Sequence, residues 1–319
     1  SISWDEGTSS LIIAYNNSNV DILSASGIKN INAIKNSLQS GDKNIYSIFT
    51  LNNLAYLSAG IGIIVLDLKK YEIKDTYIIG SSGNKIKINA VSADLNSLYA
   101  ASAEGVKKAA LNSPNLSDYR NWQLISGTNG LPAGEAEQVA TLNNQLIVVK
   151  KDSLFIQTGI SWNFIYTDGW KINKVDVADN KLLLSESFNN TGRLVVINSN
   201  GTVEKIIQNN TYTRQPRQSI LVDTDYWIAD AVAGLSKFSN NSFQSYVPNS
   251  PMSVATGEMK IDKGVLWASA GAVTNNWQPA GSKNGLFRFT DNSWKNFNAS
   301  LLPPMDSLPD CITVAINHR

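Results

Sequence analysis

Seven short apolar runs, each ending near a small residue, recur along the chain: LIIAY at Ala14, AYLSAG at Ser58, LYAAS at Ala101, LIVVK at Val149, LLLSE at Ser185, YWIAD at Ala229 and LWASA at Ser269. Consecutive copies lie 44, 43, 48, 36, 44 and 40 residues apart. A chain that repeats one supersecondary unit must stack the copies to bury their apolar faces, and four-stranded propeller blades repeat at roughly 40–45 residues. Helical repeats of similar length need sustained amphipathic stretches of period 3.6, and none is present. The runs are rich in Val, Ile, Leu and Tyr and are cut by Asn, Gly, Asp and Ser, which is the strand signature. The sequence predicts an all-β, seven-bladed β-propeller of four-stranded antiparallel blades, with the first strand of each blade nearest the axis.

The last copy divides into four strands, at about 254–261, 265–270, 286–289 and 294–297. Asp262-Lys-Gly264 and 290–293 form its tight turns, and Asn52-Asn53, Asn143-Asn144 and Asp179-Asn180 are the matching turns elsewhere. Asn, Asp and Gly adopt positive φ cheaply, as two-residue hairpins require. The repeats fall at approximately 1–43, 44–85, 86–135, 136–170, 171–213, 214–251 and 252–305, within a single propeller domain. The ends are ragged. ITVAINHR, at 312–319, reads as one more first strand, so 306–319 either closes the ring or opens a further blade of a longer chain.

Trp122, Trp162, Phe243 and Trp294 stand at equivalent positions, each opening a last strand, and should fill the wedges between blades. Trp227 and Trp267 match each other in second strands. Trp170 and Trp277 have no equivalents. Up-and-down strands put the connections after the second and fourth strands on one face. Trp277 falls there, in an enlarged loop at 271–285, as do Trp170 and the pair Arg214 and Arg217 of TRQPRQ. Loops on a rigid scaffold carry function. Trp277, Trp170, Arg214, Arg217, Lys283, Asn275 and Asn276 are therefore candidate ligand-binding residues. Aromatic faces, guanidinium forks and amides together suit an anionic glycan or a partner protein. For both tryptophans the competing reading is structural.

Catalytic chemistry is thin. The single histidine is His318 and the single cysteine Cys311, so no disulfide within the chain and no cysteine metal cluster can form. Nothing orients that pair as a nucleophile and base. DTDYWIAD places Asp223, Asp225 and Asp230 at calcium-loop-like spacing, but the required glycine and distal Glu are missing, so these are read as turn residues. No catalytic residue, metal or cofactor is expected. A formal net charge of +1 gives no electrostatic footprint for nucleic acid. No apolar run reaches the length of a membrane span.

TNGLPAGEAEQVATLNNQLIVV (128–149), YWIADAVAGLSKF and LWASAG…GLFRF resemble the repeats of two-component-regulator propellers. TDNSW and TGISW resemble the Asp-box turns of sialidase-like propellers, which are structural. ISWDEGTSSLIIAYNNSNVDIL (2–23) and DTDYWIADAVAGLSKF…VPNSP (223–251) resemble the N-terminal propeller of PorZ-type proteins. That resemblance implies a non-enzymatic, exported component of the type IX secretion machinery at the outer-membrane surface. Such a protein would bind anionic lipopolysaccharide or another glycan and work with the sortase and other attachment-complex proteins. The alternatives are the periplasmic ligand-sensing propeller of a hybrid two-component regulator and a glycan-active propeller enzyme.

Overall fold

The structure, a computed structural model, describes residues 1–317 other than Gln39 and Ala272. It contains seven four-stranded sheets, each a meander of consecutive antiparallel strands. The fold class is the seven-bladed β-propeller. Among the described residues the one α-helix is a single turn, Ala33–Asn36. The chain divides into two compact units, Ser1–Tyr246 with six sheets and Val247–Arg319 with one.

Each recurring apolar run is the second strand of a sheet. Leu54–Ala59, Ser97–Ser102, Gln145–Lys150 and Lys181–Phe188 are buried almost end to end. These strands are covered on both faces by neighbouring sheets, so their apolar residues run on without alternation, as in other strands buried on both sides. Outer strands such as Val203–Gln208 are mostly exposed and carry the charge.

The turns follow the local chemistry of the sequence. Asn52 and Asn53 (φ 52° and 62°), Asn143 and Asn144 (51° and 60°) and Asp179 and Asn180 (48° and 58°) are left-handed at both central positions. Asn240-Asn241 and Asp291-Asn292 do the same between third and fourth strands. The glycine that opens a third strand has a different reason. At Gly62 (φ +136°) a Cβ would sit 2.2 Å from the Tyr77 carbonyl oxygen, and at Gly285 (φ +73°) it would sit 2.0 Å from that of Phe297. At these two positions the glycine lets the fourth strand's carbonyl close over the start of the third, whereas at Gly234 a Cβ would meet nothing within 4 Å and the positive φ of +79° is the reason for glycine.

In the unit 1–246 the first strands of the six sheets are Ile2–Asp5, Ile45–Leu51, Ile88–Ala93, Gln138–Leu142, Lys171–Ala178 and Pro216–Val222. All six face a common cavity of about 1130 Å³. Side chains stitch these strands together. Gln138 Nε2 donates to the Asn173 carbonyl at 3.0 Å and its Oε1 accepts from Val175 N–H at 2.9 Å, while the Ser92 and Thr141 hydroxyls are bonded at 2.8 Å. Polar side chains on these strands thus meet partners on the next sheet, as burial of polar groups demands.

The aromatic wedge residues divide. Trp122 packs with Tyr77 of the preceding sheet and Trp162 with Leu131, Val139 and Tyr99; both are buried. Phe243, stacked on Tyr212 at 5.0 Å, and Trp294, tilted on Phe289 at 5.0 Å, are only half-buried. Trp122 also precedes the short strand Gln123–Leu124 instead of opening it. In the unit 247–319 the first strand is Met259–Asp262, shorter than expected. Residues 312–317 form no strand. Cys311 pairs with Gly271 in an isolated bridge, and the Ile312 carbonyl accepts one bond from Glu258 N–H at 2.8 Å. One bridge and one bond do not make a ladder. His318 and Arg319 lie outside the described residues.

Candidate functional site

The seven candidate residues occupy both units, and each unit stands by itself. In 247–319, Trp277 tops the connection between the second and third strands, in a turn closed by Trp277 N–H to Thr274 C=O at 2.9 Å and Thr274 N–H to Gln278 C=O at 2.8 Å. Its φ is +59° and it is 83% exposed. The ring is not folded back onto its own loop. A bulky residue with positive φ held outward is unusual for a purely structural position. Asn275 and Asn276 are exposed beside it. The loop base is tied down: Asp310 accepts from Gly281 and Ser282 N–H at 2.8 and 2.7 Å. Lys283 is paired with Asp306 at 2.7 Å, both largely exposed. Such a pair is weak and leaves the ammonium available for exchange.

In 1–246, Arg214 is exposed in the connection before the first strand of the sixth sheet, as expected. Arg217 is not in that connection. It is inside the strand Pro216–Val222, as the extra residue of a bulge between Pro216, opposite Asp230, and Gln218, opposite Ala229. TRQPRQ looks like a loop from its Pro and charges, yet Pro is tolerated as the first residue of a strand.

Trp170 is held from behind. The Arg193 guanidinium lies 4.1 Å from its ring centroid, Phe188 packs at 5.7 Å, and its N–H donates to Asp168 Oδ1 at 3.1 Å. Arg193 anchors a buried cluster between the fourth and fifth sheets that the sequence does not advertise. Its Nε donates to Glu186 Oε2 at 2.9 Å, and its other arm is paired with Asp168. The Tyr166 hydroxyl donates to Asp168 Oδ2 at 2.7 Å. Glu186 is fully buried, and its Oε1 has no hydrogen-bond partner. Burial pushes the Glu186 carboxyl up to about 8, with the Tyr166 hydroxyl pulling the other way, and burial also pushes the Tyr166 phenol up.

A carboxyl whose folded value is raised adds stability that is full below its unfolded value, near 4.5, and is lost as pH rises through about 8. Relative to Glu186→Gln, the wild-type chain is therefore expected to lose stability steadily between those limits. Denaturant titrations at several pH values check this; a difference that does not change with pH would refute it.

Asp230 and Asp225 are engaged in structure. Asp230 accepts from Gln215, Val232 and Ala233 N–H at 2.6–2.8 Å, capping the turn after its strand, and Asp225 pairs with Lys237 at 3.1 Å. The two Trp-bearing copies share a ladder: Trp227 packs with Tyr246 (4.8 Å) and Lys237 (5.8 Å), Trp267 with Phe297 (5.7 Å) and Arg288 (5.8 Å).

Residues 1–123 match the family profile described as TSS9, PorZ, N-terminal beta-propeller domain. The structure of PorZ from Porphyromonas gingivalis, described as an essential bacterial surface component of the type IX secretion system, superposes with a TM-score of 0.67 at 20% identity, covering 95% of this chain and 40% of that one. The extracellular domain of a hybrid two-component system from B. thetaiotaomicron superposes with a TM-score of 0.60 at 13% identity, covering 92% of this chain and 44% of that one. At these identities the likeness is one of fold. The chain spans less than half the length of either structure. No curated protein sequence matches it.

Proposed function

We propose that this PorZ-like chain is a non-enzymatic, surface-exposed propeller of a type IX secretion attachment complex. In this reading it binds cell-surface glycan, such as an anionic lipopolysaccharide, or partner proteins including the sortase, during export and anchoring of cargo. The observation that carries the reading is the match of residues 1–123 to the PorZ propeller profile, supported by the likeness in fold to PorZ over 95% of the chain. Export to the outer-membrane surface follows from the same reading. No helix among the described residues is long and apolar enough to cross a membrane.

The binding groups proposed are Trp277 with Asn275, Asn276 and Lys283 in one unit, and Arg214, Arg217 and Trp170 in the other. An outward indole offers a stacking face, amides suit hydroxyls, and guanidinium groups engage carboxylate or phosphate in bidentate fashion. Trp277→Ala and Arg214→Ala are each expected to weaken retention on purified lipopolysaccharide roughly fivefold or more, about 1 kcal/mol, with no change in melting temperature. Undiminished retention in both variants would remove these residues from the site.

A further inference from the structure

The first strands of the fifth and sixth sheets carry an arrangement that strand pairing alone does not need. Each bulges near its start. In the fifth sheet Ile172 pairs with Glu186 and Lys174 with Ser185, leaving Asn173 extra; in the sixth the extra residue is Arg217. The first strands of the second and third sheets bulge in the same way, leaving Tyr46 and Asn89 extra, so the bulge belongs to the repeat, and at each position it re-aims the side chains. Two side-chain bonds then tie the strands together around the bulges. Asn173 Nδ2 donates to the Pro216 carbonyl at 2.8 Å, and Gln218 Nε2 donates to Asp176 Oδ1 at 3.0 Å. Lys174 lies between the two tied residues of one strand, Arg217 between those of the other. The two cations therefore stand at one level on adjacent strands, and both line the 1130 Å³ cavity.

Among the described residues, neither cation donates a hydrogen bond or closes an ion pair. Asp176 is close to Lys174, but burial pushes its carboxyl up toward the neutral form, and its Oδ2 is buried without a hydrogen-bond partner. The lining also includes Ser92 and Thr141, whose hydroxyls are bonded to each other at 2.8 Å, and Phe49. Ligand pockets of roughly 300–1,000 Å³ hold small molecules through a few placed polar groups on apolar walls, and this cavity is of that order.

We infer that the cavity is a binding site for a small hydroxylated ligand bearing a phosphate or carboxylate, with the acid group held between Lys174 and Arg217. The guanidinium supplies a planar fork for two oxygens and the ammonium a point charge beside it. The site deepens the binding role proposed above by naming a ligand chemistry. Its test uses small probes alone, so its failure leaves the secretion assay untouched.

Isothermal titration of the whole chain with glucose 1-phosphate, gluconate, inorganic phosphate and glucose tests the site. Glucose 1-phosphate or gluconate is expected to bind, glucose at least tenfold more weakly. Lys174→Gln and Arg217→Gln should each weaken the anion at least tenfold while leaving the ligand-free melting temperature unchanged. Binding that survives the double variant, glucose binding as well as its phosphate, or no binding of either acid overturns the inference. Inorganic phosphate binding as tightly as glucose 1-phosphate would overturn the part played by the hydroxyls. If a Gln variant melts early, Lys174→Arg, which keeps the charge, must retain the ligand.

Discussion

Arg193→Met is expected to destabilise the chain by about 3–5 kcal/mol at pH 8, because it removes the cation that Glu186 and Asp168 share. The guanidinium is the one cation contacting both Glu186, which is fully buried, and Asp168. Removing it leaves both acids without their cation, and Glu186 already has an oxygen without a partner. The cost should shrink toward pH 5. Burial holds the Glu186 carboxyl up near 8 even in the wild type, so without the guanidinium it takes a proton as soon as pH allows. Adding Glu186→Gln to Arg193→Met should recover about 1–3 kcal/mol at pH 8 and little at pH 5, because it removes the cost of holding Glu186 protonated above its unfolded value. Urea titrations of the single and double variants at both pH values check this. No recovery in the double variant at pH 8 would mean that Arg193 acts through packing on Trp170 alone.

Trp122→Ala is expected to cost about 3–5 kcal/mol, the range for deleting a large core aromatic. The ring is 6% exposed, packs 6.4 Å from Tyr77 of the preceding sheet, and donates from Nε1 to the Leu116 carbonyl at 2.8 Å. Trp294→Ala, at an equivalent position of the repeat, should cost at most about 2 kcal/mol, since less area leaves water. Trp294 is half-buried against a small cluster of Ala268, Ala270 and Phe287. Denaturant unfolding separates the two. Similar losses for both would show that the repeat position, and not the local packing, sets the contribution.

The contrast between those tryptophans marks how far the sequence can be read. Which residues form strands was legible, because continuous apolar runs answer to burial on both faces and the Asn-Asn and Asp-Asn pairs supply left-handed turns without help from the rest of the fold. Burial of a wedge aromatic was not, because it depends on what the fold packs against it: Tyr77 of the preceding sheet beside Trp122, and Ala255, Ala268 and Phe287 beside Trp294. The terminal run ITVAINHR has strand composition, yet among its described residues it makes too few backbone bonds to be one. Composition sets propensity; a partner edge sets pairing.

The candidate residues show the same division. Trp277 could be singled out because the repeat does not need it, and it is held outward. Arg217 was placed one element off, since a bulge is invisible to a pattern of period two. The Arg193 cluster gathers Tyr166, Asp168, Glu186 and Arg193 from two sheets, and no spacing along the chain signals that they meet. Trp170 was noticed as an aromatic outside the repeat, but the guanidinium that fixes it was not. Lys174 was missed because a single lysine in a strand carries no signal until the adjacent strand brings Arg217 beside it.

The most direct test of the secretion role is made in the bacterium that encodes the chain. The gene is deleted, and the fate of a cargo protein bearing a type IX C-terminal sorting domain is followed by fractionation and mass spectrometry. The account predicts that cargo accumulates unprocessed inside the cell envelope, with the sorting domain attached and the surface-anchored form lost, and that the intact gene restores both. Normal processing and anchoring of cargo in the deletion strain would contradict it.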